Sequence, residues 1–118
     1  MYEVKFKQKD ITGSTVVIVE GIIKMTLIAS IIESKYPDLI QFEGINLKKY
    51  VAIFEVKDKD FFYICKCQYE DIDGKKKTET YLQQADDLTE ARLSLLCNLE
   101  YTPKLEEIKE TKITKIIH

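Results

Sequence analysis

The chain has 118 residues, of which 45% are apolar and 32% are charged, a composition typical of one folded domain or of two small repeats that share a core. Its 18 basic and 20 acidic residues nearly cancel, which disfavours a general nucleic-acid-binding protein but allows a local basic surface. Three cysteines, short apolar runs and no signal-peptide pattern predict a cytoplasmic protein, neither secreted nor membrane-spanning.

The first predicted elements form a β-hairpin. Residues 2–8 alternate apolar and polar side chains, as a half-buried strand does. Residues 10–13 supply a turn that ends in glycine, which adopts positive φ without strain. Residues 15–19 are all β-branched and predict a return strand that is buried on both faces.

A helix is predicted over residues 26–35, with Thr26 as its N-cap, because apolar residues recur there at helical spacing. Pro37 disfavours helical geometry at the preceding residue and marks the end of the helix. Residues 39–54 predict one extended segment. Residues 57–60 form a short charged link, which we interpret as the internal boundary of the chain.

The second half predicts the same order of elements. Residues 61–69 alternate as a strand, and Asp73-Gly74 predicts a hairpin with a type I′ turn before a return strand at residues 77–82. A capping box at residues 87–90, with Asp87 or Thr89 as the N-cap, begins a second helix. Its apolar stripe consists of Leu88, Ala91, Leu95, Leu96 and Leu99. Residues 105–117 predict a final long strand.

The order of elements indicates an internal duplication. Residues 10–13 and 71–74 share the pattern Asp-Ile-X-Gly at a separation of 61 positions, and Thr26 corresponds to Thr89 at a separation of 63. The difference of two residues falls in a connection, where insertions are tolerated.

We therefore predict an α+β fold in a single domain, residues 1–118. Two tandem β-β-α-β repeats, residues 1–56 and 61–118, flank the charged link at 57–60. The predicted arrangement is an antiparallel sheet with both helices packed on one side and a pseudo-two-fold relation between the repeats, because one repeat alone has too small a core to be stable.

The second half carries a family resemblance. Its hairpin contains Phe-Tyr-Ile-Cys-Lys-Cys at residues 62–67 and Gly-Lys-Lys-Lys-Thr-Glu at 74–79, and its helix begins with Ala-Asp-Asp-Leu-Thr-Glu-Ala at 85–91. These segments resemble domain-of-unknown-function family 4494, whereas the first half matches that family only in layout. The resemblance implies a setting in gut Bacteroidota or their phages, and hence the host cytoplasm if the protein is encoded by a phage, but it implies no activity.

No motif in the sequence predicts an enzyme. The single histidine, His118, excludes a triad of the serine-protease type, and the four glycines do not form a phosphate-binding loop. Cys65 and Cys67 lie at strand spacing and, with Cys97, are interpreted as core cysteines instead of metal ligands. We expect no cofactor and no metal.

The basic residues are the best candidates for a binding site. Lys5, Lys7 and Lys9 are predicted to share one strand face, and a stripe of lysines with nearby tyrosines could bind the phosphates and bases of a single-stranded nucleic acid. The alternative is a solvated sheet face whose lysines protect exposed edges. The candidate residues are Lys5, Lys7, Lys9, Lys66, Lys75, Lys76 and Lys77.

Three functional hypotheses follow from the sequence. The first is a small non-enzymatic protein that binds single-stranded nucleic acid through its lysine-rich hairpins. The second is a protein–protein adaptor or homo-oligomer, which near-neutral charge and apolar strands in the first half would suit. The third is a small-ligand-binding module directed against host signalling, with a pocket between repeats or subunits. Of the two hairpin turns, the second is expected to face a partner and the first to face the core.

Overall fold

The computed structural model describes residues 1–21 and 24–118 and shows a mixed α+β protein, as the sequence predicted. Within these residues the chain forms two helices and eight strands. In chain order they are β1 (Tyr2–Gln8), β2 (Thr15–Val19), α1 (Met25–Lys35), β3 (Leu39–Leu47), β4 (Ala52–Phe54), β5 (Phe61–Glu70), β6 (Lys76–Ala85), α2 (Leu88–Asn98), β7 (Lys104–Glu110) and β8 (Ile113–Ile117).

The chain divides into two compact units. Unit 1 comprises Met1–Lys48 and Ile113–His118, and unit 2 comprises Lys49–Lys112. The charged link at residues 57–60, which the sequence suggested as the boundary, lies inside unit 2. There the ammonium group of Lys59 lies 3.0 Å from Asp86 and 2.9 Å from Glu90, and its hydrogen bonds to Glu90 and then Asp86 raise the pKa of Lys59 to about 12.

Each unit contains one four-stranded sheet. The strand order is β3-β1-β2-β8 in unit 1 and β4-β6-β5-β7 in unit 2. The hairpins β1–β2 and β5–β6 are antiparallel, and so are the pairs β1–β3 and β5–β7. The pairs β2–β8 and β4–β6 are parallel.

The prediction of a single antiparallel sheet was therefore wrong. Residues 39–54 do not form one extended segment, because β3 and β4 pair in different sheets. Residues 105–117 are likewise divided between β7 and β8. Alternation of side chains fixes the faces of a strand but not the strand that it pairs with, so these two breaks could not be located from the sequence.

The buried side chains follow the alternation predicted for the hairpins. Val4 and Phe6 of β1 are fully buried, and Val16–Val19 are all buried, which confirms a strand covered on both faces. The core of unit 1 consists of Val4, Phe6, Val17, Val19, Ile28, Ile32 and Ile117. The core of unit 2 consists of Tyr63, Cys65, Cys67, Tyr81, Ala85, Ala91 and Leu95.

The two helices differ at their N-termini. Asp87 caps α2, where its carboxylate accepts a hydrogen bond from the backbone N–H of Glu90 at 2.8 Å, as the capping box predicted. Lys24 occupies the N-cap position of α1 and makes no side-chain cap bond in the described part of the chain, so the prediction of Thr26 was wrong. Neither helix is long and apolar enough to cross a bilayer, judged over the described residues.

Candidate functional site

The turn between β1 and β2 borders a cavity in unit 1. Its backbone has positive φ at Asp10 (62°) and at Gly13 (80°). Two isoleucines contribute the apolar lining, with Ile11 49% exposed and Ile40 65% exposed. The cavity has a volume of about 460 Å³ and is lined by Lys7, Gln8, Asp10, Ile11, Thr12, Gly13 and Ile40. Its lining is suited to a branched apolar group with a charged neighbour.

Polar side chains form a hydrogen-bond network at this end of the sheet, beside the cavity. The amide nitrogen of Gln8 donates to both carboxylate oxygens of Asp38, at 3.0 and 3.3 Å. The hydroxyl of Thr15 donates to the amide oxygen of Gln8 at 2.6 Å. These bonds connect β1, β2 and the segment before β3, so the position of Gln8 in the cavity wall is fixed from two sides.

The turn between β5 and β6 projects from unit 2. Asp71 organises it, because its carboxylate accepts the backbone N–H groups of Asp73 (3.0 Å) and Lys75 (2.9 Å). Positive φ occurs at Gly74 (77°) but not at Asp73, so the type I′ turn predicted from Asp73-Gly74 was wrong. Ile72 stands at the tip of this turn with 103% of its reference surface exposed.

In unit 1 the predicted lysines are balanced by a carboxylate. The ammonium groups of Lys5 and Lys7 lie 3.7 and 3.8 Å from the carboxylate of Glu43 on β3, which also accepts a hydrogen bond from Ser14. Lys9 lies in the turn beyond β1, so it does not share the strand face of Lys5 and Lys7 as predicted. No ion pair is formed by Lys9 within residues 1–21 and 24–118.

In unit 2 the lysines are only partly balanced. Lys66 lies 3.2 Å from Glu107, and hydrogen bonds from Lys66 and then Lys109 hold the pKa of Glu107 below its usual value. Lys77 lies 3.4 Å from Asp71. Lys75 and Lys76 are exposed and make no ion pair with any described residue. The stripe expected from the sequence is thus interleaved with carboxylates.

A cluster of three tyrosines around one carboxylate was not anticipated. Tyr69 donates a hydrogen bond to one oxygen of Glu79 at 3.2 Å, while Tyr81 and Tyr101 donate to the other at 2.5 and 3.0 Å. The hydrogen bond from Tyr81 is the main cause of a lowered pKa at Glu79, and burial raises the pKa of Tyr81. Strand alternation places Glu79 and Tyr81 on one face, but no sequence signal brings Tyr101 to them.

The cysteines are divided between core and surface. Cys65 and Cys67 are fully buried, as predicted, whereas Cys97 on α2 is exposed, so its assignment to the core was wrong. Burial raises the pKa of Cys65 to about 12, which leaves its thiol protonated and unreactive at neutral pH. Among the described residues, no group of three His, Cys, Asp or Glu side chains has a geometry suited to a metal ion.

The fold defines a mixed α+β protein with two four-stranded sheets and one helix in each unit. A profile described as Domain of unknown function (DUF4494) matches residues 26–118, which is well over half of the chain. The chain therefore belongs to this family, as the second half suggested. Searches of curated proteins and of solved structures returned no match.

Proposed function

We propose that this protein is a non-enzymatic binding module that holds a protein partner at the cavity beside its first hairpin. The observation that carries the proposal is the exposure of Ile11 and Ile40, at 49% and 65%, in the wall of a cavity of about 460 Å³. Apolar side chains that line a concave surface lose unfavourable hydration when a partner covers them, and such cavities are the usual sites of binding.

The side chains around the cavity are arranged as in a small protein–protein interface. Gln8 and Thr12 supply polar groups around the two isoleucines, and Lys7 and Asp10 supply one charge of each sign. An apolar centre with a polar rim is the common arrangement at protein–protein contacts. The charged residues would orient a partner, while the isoleucines would supply most of the affinity.

Binding of anilinonaphthalene sulfonate, which joins an apolar ring system to an anion, tests this proposal. The probe should gain fluorescence on the wild-type protein and lose most of that gain with Ile40→Asp, because a carboxylate in the cavity wall repels both parts of the probe. Leu93→Asp is the matched control, since Leu93 is 60% exposed on α2, outside the cavity lining. Equal fluorescence from the two variants would contradict the proposal.

A second candidate function is the binding of single-stranded nucleic acid at the second hairpin. It is favoured by Lys75 and Lys76, which are exposed beside Lys77, and by the nearby rings of Tyr69 and Tyr101, whose centroids lie 5.7 Å apart. Phosphates would contact the lysines, and a base could stack on the exposed ring of Tyr101. It ranks second because the same hairpin carries four carboxylates, at Glu70, Asp71, Asp73 and Glu79.

Fluorescence anisotropy with a labelled oligothymidine tests this second candidate. Binding should be strongest at low salt, should weaken as salt rises, and should fall in a Lys75→Gln/Lys76→Gln double variant. Lys35→Gln, at the exposed end of α1, is the control and should bind as the wild type does. Absence of binding at low salt would remove this candidate.

We also propose that the chain is a tandem duplication of one β-β-α-β-β repeat, and that the two copies have exchanged their last strands, β4 and β8. The support comes first from register: Tyr2 pairs with Val19 and Leu47, as Tyr63 pairs with Gln83 and Glu110. Each first strand shows a register shift at the corresponding place, after Lys5 in β1 and after Lys66 in β5. Both helices have 11 residues.

Hydrogen exchange tests the proposed duplication at one equivalent pair of amides. The backbone N–H of Lys48 donates to the carbonyl of Met1 at 3.0 Å, and that of Thr111 donates to the carbonyl of Phe62 at 2.9 Å. In each unit this bond closes the end of the long strand just before the chain leaves for the other sheet. Protection of both amides is expected, and free exchange of only one would contradict equivalence.

A further inference from the structure

The tip of the second hairpin presents an isolated apolar side chain on a fixed support. Turn positions favour Gly, Asn, Asp, Ser and Pro, so a β-branched residue at Ile72 is an unusual choice. The side chain has no cover, with 103% of its reference surface exposed. Asp71 fixes the turn beneath it through bonds to the N–H groups of Asp73 and Lys75. A rigid apolar knob of this kind can enter a partner without first losing conformational freedom.

The cavity of unit 1 has the complementary shape and chemistry. It is lined by Ile11 and Ile40 and has a volume of about 460 Å³, which is enough to accept a branched aliphatic side chain. Ile11 is the counterpart of Ile72 in the first turn, but it is only 49% exposed because it lies in the cavity wall. The structure thus holds an open cavity with two isoleucines in its wall in one unit, and an uncovered apolar side chain in the other.

The charges beside the two features are also complementary. Asp73 follows Ile72 at the tip and is exposed, and so is Lys9, which follows the cavity-lining residues Lys7 and Gln8. In the other direction, the exposed Lys75 of the tip would meet Asp10 of the cavity wall. Opposite charges that meet in both directions favour one orientation of approach and raise the rate of association.

We propose that Ile72 of one copy of this chain inserts between Ile11 and Ile40 of a second copy. This inference rests on the proposed function and names its partner. The knob belongs to unit 2 and the cavity to unit 1, so the contact joins two different surfaces. Two reciprocal contacts would close a dimer, and a one-way contact would extend a chain of subunits.

Sedimentation velocity over a range of protein concentrations measures the association directly. The wild-type protein should associate reversibly as its concentration rises. Ile72→Asp and Ile40→Asp should each weaken the association at least about tenfold, because each removes one side of an apolar contact and replaces it with a charge. Leu93→Asp, on the exposed face of α2, should associate as the wild type does. A monomeric wild type, or unchanged association of the two cavity-and-knob variants, would overturn the proposal.

Mixing the two variants provides a sharper test. Ile72→Asp retains an intact cavity and Ile40→Asp retains an intact knob, so an equimolar mixture can form one complete contact that neither variant forms alone. The mixture should therefore associate more strongly than either variant by itself, and equal association would overturn the proposal. Circular dichroism of both variants controls for folding.

The outcome for the probe separates this inference from the proposed function. At protein concentrations below those at which the wild type associates, Ile72→Asp should bind anilinonaphthalene sulfonate as the wild type does, because the cavity is then unoccupied and unchanged in both. If the wild type binds the probe but does not self-associate, the partner is not a second copy of the chain, and the proposed function is unaffected. Self-association that survives Ile40→Asp, together with no probe binding, would remove both.

Discussion

The corresponding ends of the two sheets are built from very different side chains. In unit 1, Gln8 links Thr15 and Asp38 in a chain of short polar side chains. In unit 2, the corresponding residues are Tyr69, Glu79 and Tyr101, in which two phenols converge on a central carboxylate. Thr15 pairs with Phe6 across the first hairpin, as Glu79 pairs with Cys67 across the second.

The two ends differ in the size of the side chains that lie beside each turn. Short side chains at this position leave room beside the first turn, where the cavity lies. The rings of Tyr69 and Tyr101, with centroids 5.7 Å apart, occupy the corresponding space in unit 2. Unit 1 thus has a cavity beside its first turn, whereas unit 2 has packed aromatic rings beside its turn.

The largest expected effect comes from removing the most buried tyrosine of the cluster. Tyr81 is 3% exposed and stacks on Phe54 with ring centroids 5.9 Å apart. Tyr81→Ala should lower the free energy of unfolding by about 3–5 kcal/mol, because it leaves a cavity in the core of unit 2. Val17 holds the corresponding register in unit 1, and Val17→Ala should cost about 2 kcal/mol. Urea denaturation measures the loss of unfolding free energy in both variants, and equal losses would show that the two positions contribute equally to stability.

A smaller difference is expected at the equivalent polar positions of the two hairpins, Thr15 in β2 and Glu79 in β6. Glu79→Ala removes the acceptor of three phenol hydrogen bonds and should cost about 1–3 kcal/mol. Thr15→Ala removes one hydrogen bond to Gln8 and should cost about 1 kcal/mol. Thermal unfolding of the two variants shows which substitution costs more stability. A larger loss from Thr15→Ala would show that the polar network of unit 1 is the more important one.

Acid should weaken the network of unit 2 through Glu79. Its pKa is lowered in the folded state, chiefly by the hydroxyl of Tyr81, so its contribution is present above the pKa of the unfolded chain. That contribution is lost as the pH falls through the lowered folded pKa, because a protonated carboxyl group is a weaker acceptor than the carboxylate. Glu79→Gln should flatten the fall in unfolding free energy that occurs as the pH drops below the ordinary pKa of a glutamate.

A second acidic residue and a control variant help to interpret the acid experiment. Glu107 also has a lowered pKa, caused by Lys66 and Lys109, so part of the acid dependence should remain in Glu79→Gln. Glu33→Gln, on the exposed face of α1, should leave the dependence unchanged. A wild-type slope that persists in full in Glu79→Gln would contradict a role for the tyrosine cluster in acid stability.

The smallest effect is expected at an equivalent core position that holds a cysteine in unit 2 and a valine in unit 1. Cys65 occupies the place in unit 2 that Val4 occupies in unit 1, and both are fully buried. Cys65→Val should change the free energy of unfolding by less than about 1.5 kcal/mol, because the substituted side chain has similar volume and stays apolar. A larger change, measured by urea denaturation, would show that the two cores pack differently at this position.

Local patterns predicted the hairpins and the start of α2 correctly. Alternation identified β1 and β5, β-branched residues identified β2, and Asp87 identified the cap of α2. These features depend on neighbours within a few residues in the chain. The turn type at Gly74 was wrong, because the side chain of Asp71 reorganises that turn through two backbone hydrogen bonds.

The candidate site was only partly predictable for the same reason. The sequence identified the lysines, but their partners depend on pairing with β3 and β7. Glu43 approaches Lys5 and Lys7 where the register of β1 with β3 shifts, and no local pattern predicts that shift. The polar network beside the cavity includes Asp38, and the tyrosine cluster includes Tyr101. Both residues follow helices and reach the sheet only in the folded chain.

The sequence alone was enough to predict both hairpins, both helices, the faces that the hairpins bury and the family resemblance. Those properties follow from periodicity and from local hydrogen bonding, which act over a few residues. Only the tertiary structure decided that β4 lies beside β6 and that β8 lies beside β2. Pairing between strands joins residues that are far apart in the chain, and local periodicity does not specify which strands pair. The second sheet, the cavity beside Ile40 and the exposed tip at Ile72 were therefore visible only in the structure.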